Sequence, residues 1–174
     1  DFRKDFPLLQ QNKIAYLDNA ATAQRPQCVI DAESSFYRNS NANPLRGLYS
    51  LSVEATEIYE NAREAVRDFL NASSTEEIIF TRGTTEGLNL VAYSYGLHRV
   101  KEGDEVLVSI MEHHSNLLPW QMVCRQTGAK LRFIECEPDG SVDLAKVEPL
   151  INDRTKIVAI NQVSNVLGRV NPVR

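Results

Sequence analysis

The sequence predicts an α/β fold: a mainly parallel sheet with helices on both faces. Three observations lead there. Four short apolar runs, Ile78-Ile79-Phe80, Val106-Leu107-Val108, Leu131-Arg132-Phe133-Ile134 and Ile157-Val158-Ala159-Ile160, recur about 25 to 28 positions apart, the length of a βαβ unit. Arg132 apart, they do not alternate polar and apolar, as expected of strands covered on both faces. Between them, apolar residues fall at helical spacing.

Before residue 50 the pattern is irregular, with a helix expected over 27–38 and a loop over 39–46, so residues 1–49 read as an N-terminal arm. Leu51, Ala55, Ile58, Ala62, Ala65, Val66 and Phe69 then form one apolar stripe on a helix of about five or six turns. Ser50 or Ser52 is its expected cap. A second helix runs from Thr84 to about Leu97, and a third from Leu117 to Thr127, stopped by Gly128. A shorter fourth spans Leu144 to Ile151, with Asp143 as N-cap. Residues 50–174 thus read as one α/β domain. The chain opens on Asp1 rather than Met and stops soon after a strand, so it is expected to be a piece of a longer protein.

Composition narrows the function. The 174 residues are 43% hydrophobic and 24% charged, which is ordinary for a soluble globular domain. A net charge of -4 argues against nucleic-acid binding, which wants a basic face. The apolar runs are far too short to span a bilayer, and no secretory leader is apparent. Cys28, Cys124 and Cys136 are odd in number and lack a CxxC, so reduced thiols in a cytoplasmic protein are expected, with neither disulfide framework nor metal.

Three polar clusters follow apolar runs, and ligands of open α/β sheets bind outside the carboxyl ends of strands. In Gly83-Thr84-Thr85-Glu86 a helix begins; its free N–H groups and dipole attract a phosphate, although threonine also serves as a plain N-cap. No GxxxxGK[ST] or GxGxxG occurs. Glu112-His113-His114 offers a flat imidazole to an aromatic ligand, or merely a solvated turn. Asn161-Gln162-Val163-Ser164-Asn165-Val166-Leu167-Gly168 offers a neutral carboxamide, or a turn that needs Asn and Gly dihedrals. Tyr16-Leu17-Asp18-Asn19-Ala20-Ala21-Thr22 is a small-residue turn that allows close approach of a substrate or simply packs. Together the clusters suit a cofactor with a phosphate and a flat ring.

These four motifs, with Pro119-Trp120-Gln121 after the histidines, resemble in order and separation the SufS/CsdA-type cysteine desulfurases, class V aminotransferases of fold type I. The resemblance runs across the chain and implies the partial large domain of a pyridoxal 5'-phosphate enzyme. It implies that Thr84 and Thr85 cradle the cofactor phosphate, that His113 stacks on its ring as the catalytic residue within this chain, and that Asn165 bonds the ring's 3-oxygen. Ala20 and Ala21 would lie near the amino-acid substrate. Arg46-Gly47 resembles a loop near the subunit interface of this homodimeric family, though Leu45 and Tyr49 stand where many relatives have His. The implied reaction takes L-cysteine to L-alanine and leaves a persulfide on the enzyme, for a sulfur-acceptor protein in iron–sulfur assembly. Selenocysteine lyase, an aminotransferase of the same fold type, and a non-catalytic fragment are the alternatives.

The family's Schiff-base lysine, ring-pairing aspartate and nucleophilic cysteine all come after its Val-Ser-Asn segment, so they are expected beyond Arg174. None of Lys4, Lys13, Lys101, Lys130, Lys146 and Lys156 falls where a ring-reaching amine is needed, and Cys28 and Cys124 read as structural. The isolated chain is therefore expected to be inactive.

Overall fold

Val106-Leu107-Val108, fully buried, forms the middle of the sheet. In the computed structural model, which describes residues 1–173, strand β1 (Glu105–Ser109) lies between β2 (Lys130–Ile134) and β3 (Thr155–Ala159) in the order β2-β1-β3. Both pairings are parallel, with Val108 opposite Phe133 on one side and Ala159 on the other. Arg174 lies outside the described residues. Backbone contacts divide the chain into two units, one over Asp1–Ile79 and one from Phe80.

In the second unit, the side chains alternate across β1 and so serve two layers. Val106 and Val108 face one layer with Ala159, packed against Ala92, Val100, Trp120, Val123 and Cys124. Those residues come from α4 (Thr84–Val91) with its π-turn continuation Ala92–Gly96, from α5 (Leu97–Arg99) and its end, and from α6 (Leu118–Thr127). The second helix therefore runs past Leu97 to Arg99. Gly128, at φ 77, stops α6 as its sequence position suggests. On the other face, Ile134 and Val158 join Leu144 and Val147 of α7 (Leu144–Val147) around an apolar groove. The Asp143 carboxylate caps α7 by accepting from the Ala145 N–H at 3.0 Å.

The amino end of the sheet is tied by one carboxylate. Glu105, only 4% exposed, accepts from Arg132 at 2.8 Å and from the Asn152 amide at 3.1 Å, and pairs with Arg154 at 3.1 Å. The hydrogen bond from Arg132, then that from Asn152, holds its carboxyl below the usual range. A depressed carboxyl stabilises the fold fully above its unfolded value, about 4.3, and loses that contribution as pH falls through the folded value. Glu105→Gln is therefore expected to lower the urea midpoint at pH 7, with the gap to the parent protein closing in strong acid. A gap that stays constant with pH would count against this role.

The expected strand at Ile78-Ile79-Phe80 does not form: the run follows a 3-10 turn (Thr75–Glu77), and Ile79 is 67% exposed. A strand exists only through its ladder, and this run pairs with no strand among the described residues.

The first unit contains α1 (Pro7–Gln11), α2 (Gln27–Ser35), continued by a π turn to Ser40, and α3 (Ser50–Leu70). Neither expected serine caps α3; Tyr49 is its N-cap, with no side-chain bond. Ser52 is buried and organises the preceding loop instead: its hydroxyl accepts from Gly47 N–H at 3.0 Å and donates to the Asn43 carbonyl at 2.7 Å. Thr56 accepts from Leu45 N–H at 2.8 Å, where the backbone takes the left-handed φ of 69. A Cβ at residue 47 would fall 2.4 Å from the Ser52 hydroxyl, which accounts for glycine there. Of the apolar stripe on α3 only Ala55 is buried, and Phe69 is 88% exposed. Periodicity identifies an apolar side; it does not supply what covers it. Among the described residues no helix is long and apolar enough to cross a membrane.

Candidate functional site

A helix start leaves its first N–H groups without intrahelical partners. In α4 the N-cap is Gly83, which makes no side-chain capping bond, and Thr84 and Thr85 form the exposed first turn. Glu86 reaches back from that turn: it accepts from the Arg82 N–H at 2.5 Å and meets the Arg82 guanidinium at 3.2 Å. Those hydrogen bonds from Arg82 hold the Glu86 carboxyl below the usual range, with its charge matched. The first turn of α4 is the positive end of the helix dipole. An open cleft of about 620 Å³ lies there, lined by Arg82, Gly83, Thr85, Glu86, Asn89 and Tyr93. Thr85 lines it; Thr84 is not part of its wall.

His113 follows β1 and caps a 3-10 turn (His114–Asn116) that packs against α4. Its Nδ1 lies 3.2 Å from the Ser115 N–H and 2.9 Å from the Ser115 hydroxyl. A backbone N–H can only donate, so Nδ1 is the acceptor and the ring proton of the neutral imidazole sits on Nε2. The ring is exposed, with the His114 ring centroid 6.2 Å away at 54°.

Asn165 lies exposed on a hairpin after β3. The hairpin is closed by the antiparallel bridge of Val163 with Val170, and buried Ser164 folds its tip by accepting from Leu167 N–H at 3.1 Å. Gly168 donates to the Ser164 carbonyl at 2.9 Å from a left-handed φ of 65.

The two loops are bonded to each other. Glu112 accepts from Asn116 Nδ2 at 2.7 Å and from Asn161 N–H at 2.6 Å. The site reading passes over Glu112, because its partner stands 49 positions away and only the adjacency of β1 and β3 brings it near. The Thr84–Thr85 helix, the His113 turn and the Asn165 hairpin therefore all belong to the second unit, joined by packing and by this bridge. Ala20 and Ala21 belong to the first unit, on an exposed turn in which Ala21 and Thr22 donate to the Asp18 carbonyl at 3.2 and 3.0 Å.

The other reactive groups differ in burial and pairing. Cys124 lies in the core, and burial pushes its thiol up. Cys28 is exposed on α2, so it does not serve the core, and Cys136 is half-buried. Lys146 pairs with Glu137, and Lys156 donates to the Asp153 carbonyl at 2.6 Å. Among the described residues no group of three or more His, Cys, Asp or Glu side chains could hold a metal.

Residues 15–174 match the family model described as Aminotransferase class-V. The chain belongs to the aminotransferase class-V family. Within that family, a cysteine desulfurase of Salmonella newport is 51% identical over 175 residues, covering 98% of this chain and 43% of that protein. The apo structure of a Thermococcus onnurineus cysteine desulfurase superposes with a TM-score of 0.91 at 44% identity, over 99% of this chain and 42% of that one. Escherichia coli cysteine desulfurase CsdA gives 0.84 at 42% identity, over 99% and 43%. The class-V chain thus spans less than half the length of these relatives, and the parallel sheet flanked by helices agrees with their fold.

Proposed function

We propose that this chain is the amino-terminal part of a pyridoxal-phosphate-dependent cysteine desulfurase that converts L-cysteine to L-alanine. The observation that carries the reading is the start of α4, where the N-cap Gly83 makes no side-chain cap bond and an open cleft lies beside Thr85. A phosphate dianion needs donors and a positive potential, and this turn supplies both. A flat ring needs a flat partner, and the exposed His113 imidazole is held through Nδ1 by Ser115. The residues fit the group. When bound, pyridoxal phosphate supplies an electron-withdrawing ring that accepts charge from the substrate's Cα.

In this reading Thr84 and Thr85 bind the phosphate through N–H and hydroxyl groups. His113 stacks on the ring and limits its tilt. The Asn165 carboxamide donates to the ring oxygen. Contact of Ala20 and Ala21 with the substrate amino acid belongs to the same proposal. So do a homodimer, a sulfur-acceptor protein serving iron–sulfur assembly, and a cytoplasmic location.

The test uses the complete polypeptide that carries this chain, mixed with pyridoxal phosphate and cysteine. Alanine and a protein-bound persulfide are the expected products, and the 174 residues by themselves are expected to give neither. A complete protein that binds the cofactor but makes no alanine from cysteine overturns the desulfurase assignment.

A further inference from the structure

We propose that Glu112 is a positioning residue: it locks the His113 turn to the root of the Asn165 hairpin and so sets imidazole and carboxamide at one fixed separation. Its consequence for binding rests on the pyridoxal-phosphate reading above; its structural content does not.

The hydrogen-bond polarity around Glu112 admits one kind of side chain. An indole N–H can only donate, and Trp120 Nε1 donates to Asn116 Oδ1 at 3.0 Å. That orients the Asn116 amide so that its Nδ2 faces Glu112 Oε2 at 2.7 Å. The other partner, the backbone N–H of Asn161, is also a donor only, 2.6 Å from Glu112 Oε1. The bridging group must therefore accept at both oxygens, which an ionised carboxylate does and an amide does not. Charge-assisted bonds of this kind are short and strong.

The rest of the network points the same way. Asn161 Nδ2 donates to the Met111 carbonyl at 3.1 Å, a second tie between the same two loops. Asn171, 3% exposed, donates through Nδ2 to both Asn161 oxygens at 2.8 Å and fixes the far strand of the hairpin. The chain from Trp120 through Asn116, Glu112 and Asn161 to Asn171 thus connects the buried core to both loops. The β1–β3 ladder stops at Val108 and Ala159, so beyond that point these side chains replace the ladder. His113 adjoins Glu112 in sequence, and Asn165 lies on the hairpin whose root Asn161 forms. Removing the bridge frees both loops to sample other separations, and a ligand gripped by both then bears the ordering cost.

The experiment compares Glu112→Gln with the parent protein in full-length form. The variant is isosteric, but one of its amide groups must face a donor. In the ligand-free protein, nitrogen NMR of the imidazole is expected to show one Nε2–H tautomer for parent His113 and an averaged pair in the variant. Unchanged His113 nitrogen shifts, with faster exchange of the Asn161 amide, would overturn the proposal. The second readout is the Kd for pyridoxal 5'-phosphate. Glu112→Gln is expected to weaken it about tenfold in the parent background and by less than about twofold in a His113→Ala background. Equal losses in both backgrounds mean a merely structural residue and also overturn it. If the parent protein does not bind the cofactor, the cofactor reading fails while the NMR result still decides the role of Glu112. Should Glu112→Gln not fold, as judged by far-UV circular dichroism, Asn116→Ala removes the Nδ2 donor to Glu112 and is expected to produce the same His113 averaging; an unaveraged ring there overturns the proposal.

Discussion

Trp120→Ala is expected to lower stability by about 3–5 kcal/mol, the range for truncating a buried aromatic in a packed core. Trp120 is 4% exposed and belongs to the cluster of Val106, Val108, Val123, Cys124 and Ala159 between α6 and the sheet. Gly96 explains part of the fit: a Cβ there would lie 3.4 Å from the indole and 3.0 Å from Val123, so any larger residue would push these side chains aside. The substitution removes the ring and also leaves Asn116 Oδ1 without its indole donor. With a urea m-value of about 2 kcal/mol per molar, the midpoint falls by roughly 2 M. Trp120 is the single tryptophan, so the parent can be followed by fluorescence and the variant must be followed by circular dichroism. A loss below about 1 kcal/mol would mean that this cluster is not the core of the unit.

Thr85→Asp is expected to separate the helix from its ligand. A carboxylate in the first turn of α4 stabilises the helix dipole by about 0.3–1 kcal/mol, so the melting temperature should hold or rise. The same carboxylate opposes a phosphate placed at that turn. Two like charges about 5 Å apart at an effective dielectric near 20 repel by roughly 3 kcal/mol, so the Kd for pyridoxal phosphate should rise at least about a hundredfold. Thr85→Ser keeps a hydroxyl donor and should stay within about threefold of the parent protein. If Thr85→Asp binds the cofactor as tightly as the parent, the phosphate does not sit at this helix.

Much of the fold was legible because its signals are local. The spacing of the runs near Val106, Leu131 and Ile157 implies parallel strands joined by helices, and those strands form. Asp143 and Gly128 act within one helical turn of themselves, so their roles follow from sequence position. The order of the four polar motifs was enough to indicate the class-V family, which the family match then established. Thr84 and Thr85 stand on a helix start and His113 and Asn165 on turns, as the sequence suggests, and their joint role in cofactor binding is the proposal tested above.

Tertiary structure decided whatever depends on a distant partner. Ile78-Ile79-Phe80 has the composition of a strand and is not one, since among the described residues it joins no strand of the sheet. Ser52 stands where a helix cap is expected but bonds to Asn43 and Gly47, because the preceding loop folds over it. Glu105 gathers Arg132 and Asn152 from 27 and 47 positions away, and Glu112 gathers Asn161 from 49. Hydrophobic periodicity and capping bear on a few neighbouring residues and so can be read along the chain. The partners of a buried carboxylate are set by which strands lie side by side, and here the order β2-β1-β3 brought them together.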